Sequence, residues 1–126
     1  MTSHWDSLRE EVWAIAERLG LNRCRRFTRW YDIQPAPGMF RLDALEAELE
    51  LAAKHGVREW LCIVEPPAFA FPGKVKRTSY NAFECRWDDW ERMVRTVTMR
   101  LKGKFIGWEW LNEITPEDAR TLWEHT

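Results

Sequence analysis

An amide and a carboxylate stand side by side near the end of the chain, at Asn112 and Glu113. They directly follow residues 105–111, an aromatic and apolar run that predicts a buried strand. A carboxylic acid in that place can act as a proton donor to a leaving oxygen. Because βα folds place their ligands at the carboxyl ends of parallel strands, this pair is the leading candidate for a site. The structural alternative is an acidic residue that merely precedes a helix.

Aromatic side chains are the second candidate set, because the chain has nine tryptophans. Tryptophan stacks on the apolar faces of sugar rings, but it also packs protein cores. Core packing is the alternative for Trp108 and Trp110, and loop closure is the alternative for Phe69, Phe71 and Tyr80. Composition does not choose between these uses.

Histidine spacing argues against a metal site. His4, His55 and His125 fall near predicted helix ends, with no partner at metal-ligand spacing. No glycine-rich phosphate loop follows any predicted strand. We therefore predict no metal and no cofactor.

Apolar periodicity and terminal residues predict four helices. Their extents are 3–20, 43–56, 87–103 and from 115 onward. The first helix has a Ser3 cap and apolar residues at three- and four-residue steps, namely Trp5, Leu8, Val12, Ile15 and Leu19. Asp43 and Glu46 form a capping box for the second helix. Gly20, Gly56 and Gly103 follow the first three helices as left-handed stops.

Three strands alternate with these helices, at Leu21–Trp30, Val57–Val64 and Phe105–Leu111. The first contains four arginines and is assigned from its flanks, whereas the second is a nearly continuous apolar run typical of a parallel strand buried on both faces. Residues 34–38 form a loop, and 68–86 form a long aromatic loop of the kind that builds sites.

This alternation predicts one α/β domain over residues 1–126, a partial (β/α)₈ TIM barrel of about three parallel strands and four helices. A complete barrel takes about 250 residues. Three strands cannot close a barrel, so we expect an N-terminal half-barrel whose inner apolar face is uncovered.

Residues 108–113, Trp-Glu-Trp-Leu-Asn-Glu, resemble the W-E-x-x-N-E signature on the fourth strand of the retaining clan A glycoside hydrolases, especially the β-xylosidase and α-L-iduronidase-like families. Residues 30–45 resemble the exit of that clan's second strand, with Gln34 where glutamate is common. Residues 53–70 resemble the following helix, third strand and P-x-W-A turn, with Phe69 at the tryptophan position. Residues 87–105 resemble the third helix. The likeness covers the N-terminal half of the barrel only.

This resemblance implies that Glu113 is the acid/base and that Asn112 hydrogen-bonds the sugar 2-hydroxyl. It also implies sugar contacts for Trp30, Phe69 and Trp110. A retaining enzyme needs a second carboxylate about 5 to 5.5 Å from the first. The clan takes that nucleophile from its seventh strand, which this chain lacks, so we expect the chain alone to be inert.

Two further acids, Glu65 and Glu109, are the only others associated with the predicted strands, and neither matches the clan's nucleophile. The resemblance makes Arg25, Arg26 and Arg29 candidates for the arginine that the clan often places on its second strand to orient its carboxylates, and the spacing does not choose among them.

Charge and hydropathy limit the partners. The chain has 19 basic and 20 acidic residues, a net charge of -1, and no long block of one sign that would attract nucleic acid. No run approaches the roughly 20 apolar residues of a membrane span. The start of the chain lacks the apolar core of a secretory signal, so we expect a soluble cytoplasmic protein with reduced, buried cysteines. The predicted partner is carbohydrate, with either a second copy of the chain or a missing C-terminal half.

Two other interpretations remain open. The chain can be a truncated relative of such an enzyme, kept as a non-catalytic carbohydrate-binding or interaction domain. It can also be a flavodoxin-like or other small α/β domain in which the Asn112-Glu113 pair is coincidental.

Overall fold

The structure is a computed structural model that describes residues 4–73 and 85–110, with the backbone alone for residues 4–8 and 110. In chain order the elements are α1 (His4–Arg18), β1 (Arg23–Arg29), the short α2 (Trp30–Ile33), α3 (Asp43–Lys54), β2 (Arg58–Val64), a 3-10 turn (Ala68–Ala70), α4 (Trp87–Arg100) and β3 (Gly107–Trp110). Both Ser3 and the predicted fourth helix lie outside the described residues.

The three strands form one parallel sheet in the order β1-β2-β3. Arg25 is opposite Trp60, which is opposite Gly107 on β3. Helix and strand alternate along the described chain, which confirms the predicted partial TIM barrel. The first predicted strand is shorter than expected, because Trp30 begins α2 instead of ending β1.

The main core lies between the sheet and helices α3 and α4. It is made by apolar side chains at helical spacing and at alternate strand positions, which are Leu45, Leu49, Leu61, Ile63, Met93, Val97 and Leu101. Leu45, Leu49, Val97 and Leu101 lie at positions that the apolar periodicity of α3 and α4 predicts to be buried. Trp87, at another predicted position of α4, is 36% exposed, and Met93 is buried in its stead. A smaller cluster joins α1 to the sheet through Trp13, Ala52 and Val57.

Gly20, Gly56 and Gly103 all have positive φ, at 71°, 76° and 80°, so the predicted left-handed stops are confirmed. The predicted capping box of α3 is wrong. Asp43 is already helical, Leu42 occupies the cap without a side-chain hydrogen bond, and the Glu46 carboxylate instead binds Arg100.

The predicted apolar face of α1 is also only partly correct. Trp13 lies in the core, while the predicted face residues Val12, Ile15 and Leu19 are 58%, 50% and 69% exposed. The side chains of the other two predicted face residues, Trp5 and Leu8, are outside the described part of the structure. The pattern is therefore present in the helix, but nothing in the described chain covers it.

Candidate functional site

The predicted catalytic pair lies just beyond the described chain. β3 is described from Gly107 to Trp110, and Asn112 and Glu113 follow outside the described residues, so their roles stay predictions. The side chain of Trp110 is likewise not described. What the structure does define is the sheet up to Trp110 and the ends of β1 and β2.

Two of the predicted sugar-contacting side chains lie in packed positions. Trp30 is fully buried, and its indole N–H donates to the Gln34 side-chain oxygen at 2.7 Å. The structure therefore places Trp30 in the core, where it is shielded from a ligand, because the chain turns into α2 directly after β1. Phe69 is half-buried against the same core, and its carbonyl accepts a short hydrogen bond from Arg86.

The end of β2 holds a strained acidic residue. Glu65 has φ 52°, a left-handed conformation that costs a non-glycine residue about 1 to 2 kcal/mol. Its carboxylate lies 3.4 Å from the Arg29 guanidinium at the end of β1, and its carbonyl accepts the Tyr31 N–H at 3.3 Å. The ends of two neighbouring strands are thus joined by a carboxylate and an arginine.

One face of the sheet is covered by the helices, and the opposite face, which we call the open face, is not. On the open face the Arg25 guanidinium binds Glu109 with two hydrogen bonds of 2.6 Å each, and it also contacts the Cys62 sulfur at 3.3 Å. The Arg25 bond lowers the pKa of Glu109, and that bond raises the pKa of Arg25. Glu109 is therefore ionised and bound to Arg25. A carboxylate in this state is a poor proton donor.

The open face is more polar than predicted. Besides the Arg25–Glu109 pair it exposes Phe27, with the Arg25 guanidinium 4.6 Å from its ring centre, and Trp60, with Arg23 5.7 Å from its ring centre. The expectation of an apolar inner face was wrong, because arginines at alternate positions of β1 all point to this side.

A buried carboxylate was missed by the sequence interpretation. Glu59 lies in β2 and is 1% exposed. The prediction that Glu65 and Glu109 are the only other acids associated with the strands was therefore wrong. The Glu59 carboxylate accepts from Arg26 at 3.0 Å, and burial raises its pKa. The signal was present, because Glu59 shares the alternation of Leu61 and Ile63 and must therefore face the helices.

A cleft of about 610 Å³ lies along the free side of β1 and reaches the strand ends. It is bounded by Phe27, Thr28 and Arg29 of β1, by Leu45 of α3, and by Arg9 of α1. Its wall mixes arginines, carboxylates and apolar side chains.

Within the described residues, no cluster of histidine, cysteine and acidic side chains could hold a metal ion. No helix in that same part of the chain is long and apolar enough to cross a membrane. The cysteines are free, with Cys62 and Cys85 buried and Cys24 half-buried. Burial raises the pKa of Cys85 to about 12.

No family model matches the sequence, and no curated protein is significantly similar to it. Solved structures do share its fold. A family 39 glycoside hydrolase from the gut symbiont Bacteroides cellulosilyticus WH2 matches 86% of this chain and 22% of its own, with 16% identity and a TM-score of 0.67. An exo-β-1,4-mannosidase from Opitutaceae bacterium strain TAV5 matches 88% of this chain and 22% of its own, with 23% identity and a TM-score of 0.65.

A Pseudomonas stutzeri endoglucanase is a third structure of this kind, with 17% identity, a TM-score of 0.61, and coverage of 79% of this chain and 31% of its own. The chain thus spans between a fifth and a third of the length of these proteins. At such identities the likeness establishes the fold alone, which is that of part of a TIM barrel.

Proposed function

We propose that this chain is a glycosidase-related protein that supplies the second to fourth strands of a retaining clan A-like barrel. Glu113 is the acid/base in this proposal, and Asn112 binds the sugar 2-hydroxyl. The main support is that β3, described as far as Trp110, runs parallel to β2 two residues before Asn112 in the sequence, in a fold shared with solved glycoside hydrolases. Carboxyl ends of parallel strands are where such barrels place their chemistry.

The proposed chemistry is hydrolysis with two carboxyl groups. Glu113 protonates the leaving oxygen, and a carboxylate about 5 to 5.5 Å away attacks the anomeric carbon. Glu109 on β3 pairs with Arg25, and Glu65, directly after β2, pairs with Arg29. The clan that the sequence resembles takes its nucleophile from the seventh strand, so in this proposal that carboxylate comes from other polypeptide, either a second copy or a C-terminal half, and the chain alone cleaves nothing.

The sugar lies across the ends of β2 and β3 in this proposal. Trp110 and the half-buried Phe69 border it, whereas the buried Trp30 supports the site from the core. Glu65 and Arg29 form the rim at the ends of β1 and β2.

Ligand binding tests this proposal without requiring turnover. A cationic aza-sugar such as 1-deoxynojirimycin carries its charge where the sugar ring becomes positive during cleavage, so it pairs with the carboxylates of such a site. We expect its NMR titration to shift the amides of residues 109–113 and 64–69. Glu113→Gln should weaken binding at least about tenfold, whereas the exposed helix substitution Glu91→Gln should leave it unchanged. If the two variants bind the aza-sugar equally well, Glu113 is not part of the site.

A non-catalytic carbohydrate-binding or interaction domain is the second candidate. The Arg25–Glu109 pair favours this candidate. Its two hydrogen bonds of 2.6 Å join the two charges in the middle of the open face, so neither side chain is free to take part in catalysis there. The two candidates separate on Glu113. In a binding domain, Glu113→Gln keeps the affinity for neutral sugars, and loss of affinity follows the aromatic substitutions Trp110→Ala and Phe69→Ala.

A further inference from the structure

The outer edge of β1 has no strand beside it in the described chain. β1 pairs with β2 along its whole length, from Arg23 to Arg29, and the sheet order ends there. A strand at a sheet edge presents a row of unpaired backbone N–H and C=O groups, which is a template for pairing with another strand. This edge is seven residues long and contains no proline to block such pairing.

The helix before β1 indicates where a further strand belongs. α1 joins β1 through the left-handed Gly20, as α3 joins β2 through Gly56. Trp13 of α1 packs with Val57 on the side of the sheet that α3 also covers. In a parallel βαβ unit, the right-handed crossover places the strand that precedes a helix next to the strand that follows it. The position beside the free edge of β1 is therefore the place of a strand covered by α1.

The exposed apolar residues of α1 border that place. At 100° per residue, Val12, Ile15 and Leu19 share one side of the helix. The opposite side holds Glu10 and Glu17, which contact His55 after α3. The apolar side is thus turned away from α3. Arg9, close to Val12 around the helix, borders the cleft beside β1.

The charge on the open face indicates which side chains an added strand would carry on that face. Arg23, Arg25 and Arg29 alternate along β1 and point to the open face. Arg25 and Arg29 have carboxylate partners, whereas Arg23 stacks on Trp60 and forms no ion pair within the described chain. Side chains of a neighbouring strand would lie next to these guanidinium groups, where carboxylates are favourable.

A buried hydroxyl gives independent evidence at the same edge. Thr28 is 6% exposed and borders the cleft, and its Oγ1 forms no hydrogen bond with any described residue. Buried hydroxyl groups almost always have a partner. A strand in the cleft would bring backbone or side-chain groups within reach of it.

We propose that the β1 edge and the apolar side of α1 receive an extended segment of another polypeptide as a parallel strand. That segment has alternating apolar and acidic residues, with the apolar ones beneath Val12, Ile15 and Leu19 and the acidic ones beside the arginines of β1. A second copy of the chain fits less well through this edge. Two β1 strands related by two-fold symmetry would bring arginine against arginine.

A labelled heptapeptide of alternating valine and glutamate tests the proposal by fluorescence anisotropy on the full chain. We expect saturable binding, and we expect hydrogen exchange to slow at the alternate β1 amides that point away from β2. Matched peptides with lysine for glutamate, or with a central proline, should not bind. The doubly substituted Val12→Asn/Leu19→Asn chain and Arg23→Gln should each weaken binding about tenfold.

Two exposed positions on α4 provide controls, because Met99→Asn and Arg95→Gln lie far from the β1 edge and should leave binding unchanged. Glu113→Gln should also have no effect, which separates this proposal from the sugar site. The proposal is overturned if the acidic peptide fails to bind, if the lysine peptide binds equally well, or if the α1 substitutions change nothing. It is also overturned if the chain alone dimerises with its β1 amides already protected, since a second copy then fills the edge.

Discussion

Replacing Arg26 by methionine removes the only ion-pair partner of the Glu59 carboxylate in the described chain. Arg26 donates to Glu59 at 3.0 Å and lies 3.5 Å from Glu48, which also pairs with Arg9. Glu59 is 1% exposed, so water cannot replace the lost partner. The charge of Glu48 remains nearby and disfavours a second ionised carboxylate.

Breaking a buried pair by removing one partner costs about 3 to 5 kcal/mol. Because Arg26 is itself 22% exposed, water already weakens this pair, and we expect Arg26→Met to cost about 3 kcal/mol at neutral pH. Glu59→Leu should cost about 1 kcal/mol or less, because Arg26 keeps Glu48 as a partner. The double variant should lie within about 1 kcal/mol of the native chain, since apolar residues of similar volume replace a buried pair without loss.

Urea denaturation followed by tryptophan fluorescence measures these free energies of unfolding for all four chains. The expected coupling energy is about 3 kcal/mol. The pH dependence gives a second test. Burial raises the pKa of Glu59, so its protonated form is favoured in the fold, and the Arg26→Met penalty should be smallest below 4.5 and grow as the pH rises through the folded-state pKa. A pH-independent penalty, or a double variant as unstable as Arg26→Met, would refute this reasoning.

Two further predictions concern packing and pH. A Cβ at Gly107 would lie 3.1 Å from the Trp60 indole nitrogen, so Gly107→Ala should cost about 1 to 2 kcal/mol in the same assay, and a Trp60→Leu background should remove most of that cost. His55 lies 2.8 Å from Glu17 and 3.0 Å from Glu10, and these bonds raise its pKa. The contribution of His55 to stability is therefore complete below pH 6.5 and is lost as the pH rises through its folded-state pKa. The urea midpoint should decline over that range, and His55→Gln should abolish the decline. An identical decline in the His55→Gln variant would show that other groups cause it.

Helices α3 and α4 and strand β2 could be predicted because each buries one recurrent set of apolar positions. Leu45 and Leu49 on α3 and Val97 on α4 meet the sheet as their spacing requires. The glycine stops were equally predictable, since a left-handed residue at a helix end strongly favours glycine. Local sequence was sufficient where one physical requirement dominated.

Other features depended on neighbours that local sequence does not specify. β1 was recognisable only from its flanks, because its arginines are held by Glu109, Glu59 and Glu65 from other parts of the chain. The apolar side of α1 was predicted from its spacing, which does not specify what covers it. Its Val12 and Leu19 show that periodicity indicates which face seeks a partner and not whether the described chain provides one.

The candidate site was predictable only in part for the same reason. Strand order places Trp108 and Glu109 on a parallel strand of the sheet, as the sequence predicts, while Asn112 and Glu113 lie outside the described residues. The burial of Trp30 follows from α2, a four-residue helix too short to have a periodic signature. Sequence therefore indicated which end of the sheet to consider, but not which aromatic side chains reach it.

Affinity labelling tests the central claim most directly. An N-bromoacetyl glycosylamine places an alkylating carbon where the leaving group of a bound sugar would lie, next to the acid/base carboxyl. If Asn112 and Glu113 form the sugar site, peptide mapping by mass spectrometry should find the label on Glu113, with labelling suppressed by excess free sugar. A label spread over surface carboxylates, or labelling of Glu113 that free sugar does not suppress, would contradict a sugar site at the end of β3.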